Sequence, residues 1–139
     1  MELHRGRLID HIQLVTARLD EMHRFYEAVL GALGIPIQGR ADDHFWADEL
    51  FVSTPTSPAA RGVTTGRVHL AFQARSRDAV ERFHRAGLEA GGIDNGAPGA
   101  RPYHAGYYAA FLLDPTGNNI EAVHHGPAVQ SADSVVISF

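Results

Sequence analysis

The chain has 139 residues and a formal net charge of −4. Its 45% hydrophobic content supports the core of one compact domain, and 20% charged residues are too few for a disordered chain. No basic stripe suits nucleic acid, no apolar run approaches the ~20 residues of a membrane span, and with no cysteine there is no disulfide, thiolate metal site or cysteine nucleophile.

The polar start, Met1-Glu2-Leu3-His4-Arg5, lacks the apolar stretch of a signal peptide, so a cytoplasmic setting is expected. Residues 8–15 read as a strand. Leu8, Ile12 and Leu14 share one face with Asp10, while Ile9, His11, Gln13 and Val15 share the other. A helix over 19–33 follows, with Met22, Phe25, Tyr26, Val29, Leu30 and Leu33 as its buried stripe and Gly34 as its stop. Short strands are expected over 35–38, 44–47 and 50–54, then a linker to residue 65. A second strand–helix pair occupies 67–90, with Ser76 as the helix N-cap and Gly91-Gly92 as the stop. Residues 94–106 read as a Gly/Pro-rich loop. A hairpin of strands 107–113 and 119–124 then folds about the turn Asp114-Pro115-Thr116-Gly117-Asn118. Residues 135–139 read as an extra edge strand.

Residues 9–35 and 67–93 are two copies of one strand–helix unit. A shift of 58 positions aligns 27 residues without a gap. His11, Asp20, Arg24, Phe25, Ala28, Leu30, Ala32, Gly34 and Ile35 then meet identical residues. Shared geometry accounts for the leucine, phenylalanine and glycine matches. It does not account for the match of His11 with His69. Both are opposite in parity to the apolar residues that cover the helices, so both are expected on the far side of the sheet. In the last strand Glu121 alternates with Ile120 and Ala122. A carboxylate inside an apolar strand is costly to bury unless paired or bound to a cation. Two imidazoles and one carboxylate suit a single divalent metal with open positions for water or substrate: Fe, Mn, Ni, Co or Zn.

The pieces Ile9-Asp10-His11-Ile12, Phe25-Tyr26, Val68-His69-Leu70-Ala71-Phe72 and Asp114-Pro115-Thr116-Gly117-Asn118-Asn119-Ile120-Glu121 resemble the vicinal oxygen chelate superfamily. That group holds glyoxalase I, fosfomycin and bleomycin resistance proteins, extradiol dioxygenases and methylmalonyl-CoA epimerase. The resemblance spans about residues 8–126 of what reads as a single domain, 1–139. It implies an α+β fold of two paired βαβββ modules, about 8–54 and 67–126 with a tail over 127–139, forming a cupped mixed sheet around a metal. It implies metal ligands at His11, His69 and Glu121, and a homodimer. It also implies chelation of two adjacent substrate oxygens by the metal, which stabilises an enolate, alkoxide or oxyanion.

One departure matters. Glyoxalase I enzymes carry a fourth ligand in the first module, at the place equivalent to Glu121. Here that place falls near Phe51, which cannot bind metal, and Asp48 and Glu49 suit a turn. A three-ligand site is therefore expected.

The segment Arg101-Pro102-Tyr103-His104-Ala105-Gly106-Tyr107-Tyr108 concentrates groups fit for a pocket. Arg101 could hold a carboxylate or phosphate, and Tyr103 or His104 could move a proton. Gln13, Phe51 and Tyr108 complete the expected substrate-binding set, with Gln73 and Trp46 nearby. His4, His23, His44 and His84 read as surface residues, His124 has the wrong parity, and His125 lies past the strand end. The sequence thus supports a metal-dependent lyase, isomerase or dioxygenase on a small oxygenated substrate. The alternatives are a metal-free drug-binding protein of the bleomycin-resistance type and a regulatory module with a vestigial site.

Overall fold

A computed structural model describes residues 5, 6, 8–130 and 137. The first half runs β1 (Ile12–Val15), α1 (Leu19–Ala32), β2 (Gly39–Arg40), β3 (His44–Ala47) and β4 (Leu50–Ser53). After a short 3-10 turn over Pro58–Ala60, the second half runs β5 (His69–Gln73), α2 (Arg77–Glu89), β6 (Ile93–Ala100), β7 (Tyr108–Leu113) and β8 (Asn119–His124). The halves form two four-stranded sheets of the same order, β1-β4-β3-β2 and β5-β8-β7-β6. In each, the first strand lies parallel to the last and the other pairings are antiparallel. The α+β class and the paired modules are as expected; the cupped sheet is two separate sheets, neither closed into a barrel. No helix among the described residues is long and apolar enough to cross a membrane.

Four boundaries differ from expectation, each for a physical reason. The first strand begins at Ile12, because backbone pairing with β4 begins only at the Ile12–Leu50 register. Residues 35–38 pair too little for a strand; the expected ladder starts one step later, at Gly39–Trp46. Of the Gly/Pro-rich stretch expected as a loop over 94–106, residues 94–100 belong to β6, which follows β7 through two register shifts that absorb its glycines, and residues 101–106 form the loop. The expected strand over 135–139 lies outside the described residues except for exposed Ile137, which is in no strand.

One core lies between the sheets and the helices. Met22, Phe25, Tyr26, Val29 and Leu30 of α1 are buried, as are Val80 and Phe83 of α2. Helix α2 starts under a Ser76 cap, whose Oγ accepts from the Ala79 amide at 3.1 Å. Helix α1 lacks a side-chain cap, and its first turn carries Asp20 and Glu21, a charge arrangement that suits its dipole. The helices pack on each other where Gly87 leaves room: a Cβ there would stand 2.9 Å from Val29 Cγ1 and 2.2 Å from Leu112 Cδ1.

A buried polar knot ties the two halves together. Tyr26 on α1 donates its hydroxyl to Asp114 Oδ2 at 2.8 Å. The Thr116 and Asn118 amides donate to Asp114 Oδ1, and the Asn118 side-chain amide donates to Oδ2. Asn118 Oδ1 in turn accepts from the Val68 amide at 3.0 Å. Gly117, at φ 88°, supplies the left-handed step of the turn. The Asp114–Asn118 turn therefore fixes where β5 and β8 meet, and with them His69 and Glu121.

Candidate metal centre

His69 and Glu121 come together on the face of the second sheet turned away from the helices. Ala71 pairs with Glu121 across β5 and β8, and His69 lies two residues before Ala71 on the same face. His69 Nε2 stands 3.1 Å from Glu121 Oε2, and Glu121 is only 2% exposed. His69 Nδ1 lies 3.0 Å from the Asn119 carbonyl. That oxygen can only accept, so Nδ1 carries the hydrogen. In a neutral ring Nε2 then presents a lone pair to a carboxylate oxygen. Two acceptors facing each other are stable only with a proton or a cation between them. Two donors at right angles about a cation, each about 2.1 Å from it, stand about 3 Å apart. The pair therefore fits a divalent metal, and a backbone carbonyl orienting the far ring nitrogen is the usual support of a metal-bound histidine.

Near this pair lie Phe111, which was not expected, and the expected Arg101, Tyr103 and His104. Phe111, paired with Glu121 across β7 and β8, stacks on the His69 ring at 6.2 Å. The Arg101 guanidinium lies over Phe111 at 5.4 Å and donates to the Ala97 and Ala100 carbonyls. Tyr103 is exposed and meets Tyr107 edge to face. His104 Nδ1 donates to the Ala105 carbonyl at 2.8 Å, so in a neutral ring its Nε2 accepts from His125 Nδ1, 2.9 Å away. Burial pushes the His125 imidazole below its ordinary value, and the neighbouring His104 adds to the shift.

The remaining candidates lie elsewhere. His11 is exposed just before β1, with Nδ1 2.5 Å from Asp10 Oδ1. Among the described residues no three histidine, aspartate or glutamate side chains gather into one metal-binding group. Within one chain, then, the expected triad is split. On the first sheet Gln13 donates to Ser53 Oγ at 2.9 Å, and Phe51 pairs with Gln13 across the strands. His44 stacks between Phe51 and Trp46, at 5.0 and 5.6 Å. His44 is thus part of an aromatic ladder, not a free surface residue. Tyr108, also in the expected substrate set, lies next to Tyr107 at the start of β7. It points to the helix side, where its hydroxyl donates to Glu81 at 2.9 Å and Arg77 covers its ring. The residue the sequence argument passed over is Tyr107, whose hydroxyl donates to Glu121 Oε1 at 2.5 Å. Its parity, shared with Phe111, was the available signal.

A cleft of about 230 Å³ between β1 and the start of α1 is a separate feature. Its lining includes Thr16, Arg18, Thr65 and Thr116 but neither His69 nor Glu121.

Two sheets, β1-β4-β3-β2 and β5-β8-β7-β6, each with one helix leading from its first edge strand to the strand at its opposite edge, define a protein of two βαβββ modules. Residues 8–122 match the model of the Glyoxalase/Bleomycin resistance protein/Dioxygenase superfamily, and the chain belongs to that family. A glyoxalase/bleomycin resistance protein from Albidiferax ferrireducens T118 is similar at 29% identity and TM-score 0.73, over 84% of this chain and 98% of that one. A glyoxalase/bleomycin resistance protein/dioxygenase family enzyme from Burkholderia phytofirmans PsJN shares the fold at 22% identity and TM-score 0.64, over 84% and 97%. Lactoylglutathione lyase from Agrobacterium tumefaciens does so at 19% identity and TM-score 0.62, over 86% and 95%. No curated protein matches the chain.

Proposed function

We propose that this protein is a divalent-metal-dependent enzyme acting on a small substrate that offers two adjacent oxygens. The observation that carries the reading is the His69 imidazole and the buried Glu121 carboxylate, held with Nε2 and Oε2 3.1 Å apart. His69 and Glu121 would hold Fe, Mn, Ni, Co or Zn, and the metal would supply Lewis acidity to the chelated oxygens. Arg101, pinned over Phe111, would receive a carboxylate or phosphate of the substrate. His104, coupled to His125, and the exposed Tyr103 are the groups placed to move a proton. A cytoplasmic setting suits a chain without cysteine.

His11 enters this reading through a homodimer. It lies at the head of β1, and β1 and β5 are each the outer strand of their sheet. A second copy that sets its β1 beside β5 would bring its His11 toward His69 and Glu121. Metal analysis of protein purified without chelator tests the whole reading. His69→Ala and Glu121→Ala should each remove the bound metal; retention by both overturns it. Coexpression of His11→Ala with Glu121→Ala tests the dimer. A shared site regenerates one intact centre in each mixed dimer, whereas a site within one chain regenerates none.

The Phe51–His44–Trp46 ladder favours a second reading, a protein that sequesters a flat aromatic compound without metal. Calorimetry against a panel of aromatic compounds separates the two. Binding that ignores chelator supports the second.

A further inference from the structure

We infer that Tyr107 is a positioning residue for the metal centre: its hydroxyl occupies Glu121 Oε1 and leaves Oε2 alone to face His69 and a cation. The inference rests on the metal reading above and adds to it a residue outside the ligand set.

Three observations carry it. The first is the bond itself, an O–H to carboxylate contact of 2.5 Å, at the short end of charge-assisted hydrogen bonds. The second is the cage around the phenol ring. Tyr103, His104 and His125 all meet it edge to face, with centroids at 4.9, 5.3 and 5.3 Å. The ring has little freedom to leave the carboxylate. The third is the backbone that delivers it. The Arg101 amide donates to the Tyr107 carbonyl at 2.9 Å, and the Tyr107 amide donates to the His104 carbonyl at 3.2 Å. Gly106, at φ 89°, lets this loop pass close to residues 125 and 126; a Cβ there would stand 3.0 Å from the His125 carbonyl oxygen.

The consequence is a one-oxygen carboxylate. A free carboxylate can close on a cation with both oxygens and fill two coordination positions. With Oε1 held by Tyr107, Glu121 offers one oxygen, and a further position stays open for a two-oxygen substrate. Partners of this kind typically change metal affinity by about 10–100-fold.

The test uses Co(II) binding to the full chain, followed by calorimetry and by the visible Co(II) absorption, which weakens as coordination number rises. Tyr107→Phe removes only the hydroxyl and keeps the caged ring. It should raise the Co(II) dissociation constant by about tenfold or more and weaken the Co(II) band as Glu121 closes on the metal with both oxygens. Replacing Tyr107 by para-aminophenylalanine keeps a donor at similar reach and should restore both. The thermal midpoint of each variant in chelator reports that the metal-free fold is intact. An unchanged constant and band in Tyr107→Phe overturn the inference while leaving the metal reading standing. Loss without rescue by the amino variant also overturns it, because ring packing would then be the cause. Failure of the unsubstituted protein to bind Co(II) overturns both readings.

Discussion

At the place where the second module holds Glu121, the first holds Phe51. The registers make the equivalence plain: Gln13 pairs with Phe51, and Ala71, its counterpart 58 positions on, pairs with Glu121. The same comparison runs across each sheet. Trp46 pairs with Phe51 and lies over Gly39; Phe111 pairs with Glu121 and lies over Gly96. Each module thus sets an aromatic ring across a glycine of its neighbouring strand. In the helices, Val29 of α1 answers to Gly87 of α2, and the larger side chain fills the space left by the smaller. The duplication is retained where backbone geometry demands it. It diverges where a side chain faces its own counterpart or faces away from the helices. The two histidines show the outcome: His69 is oriented by a carbonyl and a buried carboxylate, while among the described residues His11 pairs with exposed Asp10.

Making the modules more alike should therefore damage the protein most at the helix contact. Gly87→Val gives α2 the residue α1 carries and forces it against Leu112 and Val29. A loss of about 3 kcal/mol is expected from urea denaturation. Adding Val29→Gly to it exchanges the two residues and should recover part of the loss; an undiminished loss in the double variant breaks the comparison. The hairpin turns differ next. The first module turns at Asp48, at φ 44°, whose partner Gln38 is exposed. The second turns around buried Asp114, whose removal strands the Tyr26 hydroxyl and the Asn118 amide. Asp114→Ala should cost about 2–3 kcal/mol, and Asp48→Ala less than about 1 kcal/mol. Equal losses would show that the buried knot does not hold the modules together.

Smaller still is the effect of filling the glycine under the indole. A Cβ at Gly39 would stand 2.0 Å from the Trp46 ring, which must swing off the strand. Gly39→Ala should cost about 1 kcal/mol and shift the emission of this single tryptophan toward the red. Unchanged emission would mean the ring does not rest there.

The sequence already carried the repeat, both helices and the parity of β8, because apolar periodicity and duplication act over many residues. The pairing of His69 with Glu121 also followed from parity. Two things escaped. Strand β6 is written in glycine and proline, and only its bulged pairing with β7 makes it a strand. Tyr107 and Tyr108 are adjacent, and one step along a strand exchanges the two faces of a sheet. The Tyr107 hydroxyl therefore meets Glu121 and the Tyr108 hydroxyl meets Glu81. The split of the histidines was hidden for another reason: sequence equivalence says that two residues occupy like places, and not that one chain brings those places together.

The last difference between the modules concerns pH. Position 23 of α1 holds a histidine where α2 holds Glu81. His23 packs edge to face on Phe45 at 5.1 Å, with Arg40 Nη1 3.3 Å from its Nδ1. Burial depresses its imidazole first and the Arg40 charge adds to this, while Glu27 and Asp20 oppose both. A histidine depressed in the folded state binds a proton less readily there than in the unfolded chain. Between the folded value and the unfolded value of about 6.5, the unfolded state therefore holds more protons, and stability rises with pH. The contribution of His23 is present above about pH 6.5 and is lost as pH falls toward the folded value. His23→Gln should thus lose less stability than the unsubstituted protein between about pH 7.5 and about pH 5. Part of the acid limb should remain, because His125 is depressed as well, by burial and by His104. Urea midpoints at the two pH values measure it, and parallel losses in the two proteins would remove His23 from the acid response. Glu81, which accepts from Tyr108, marks the contrast: the same helical position is an ordinary acceptor in one module and a proton-sensitive contact in the other.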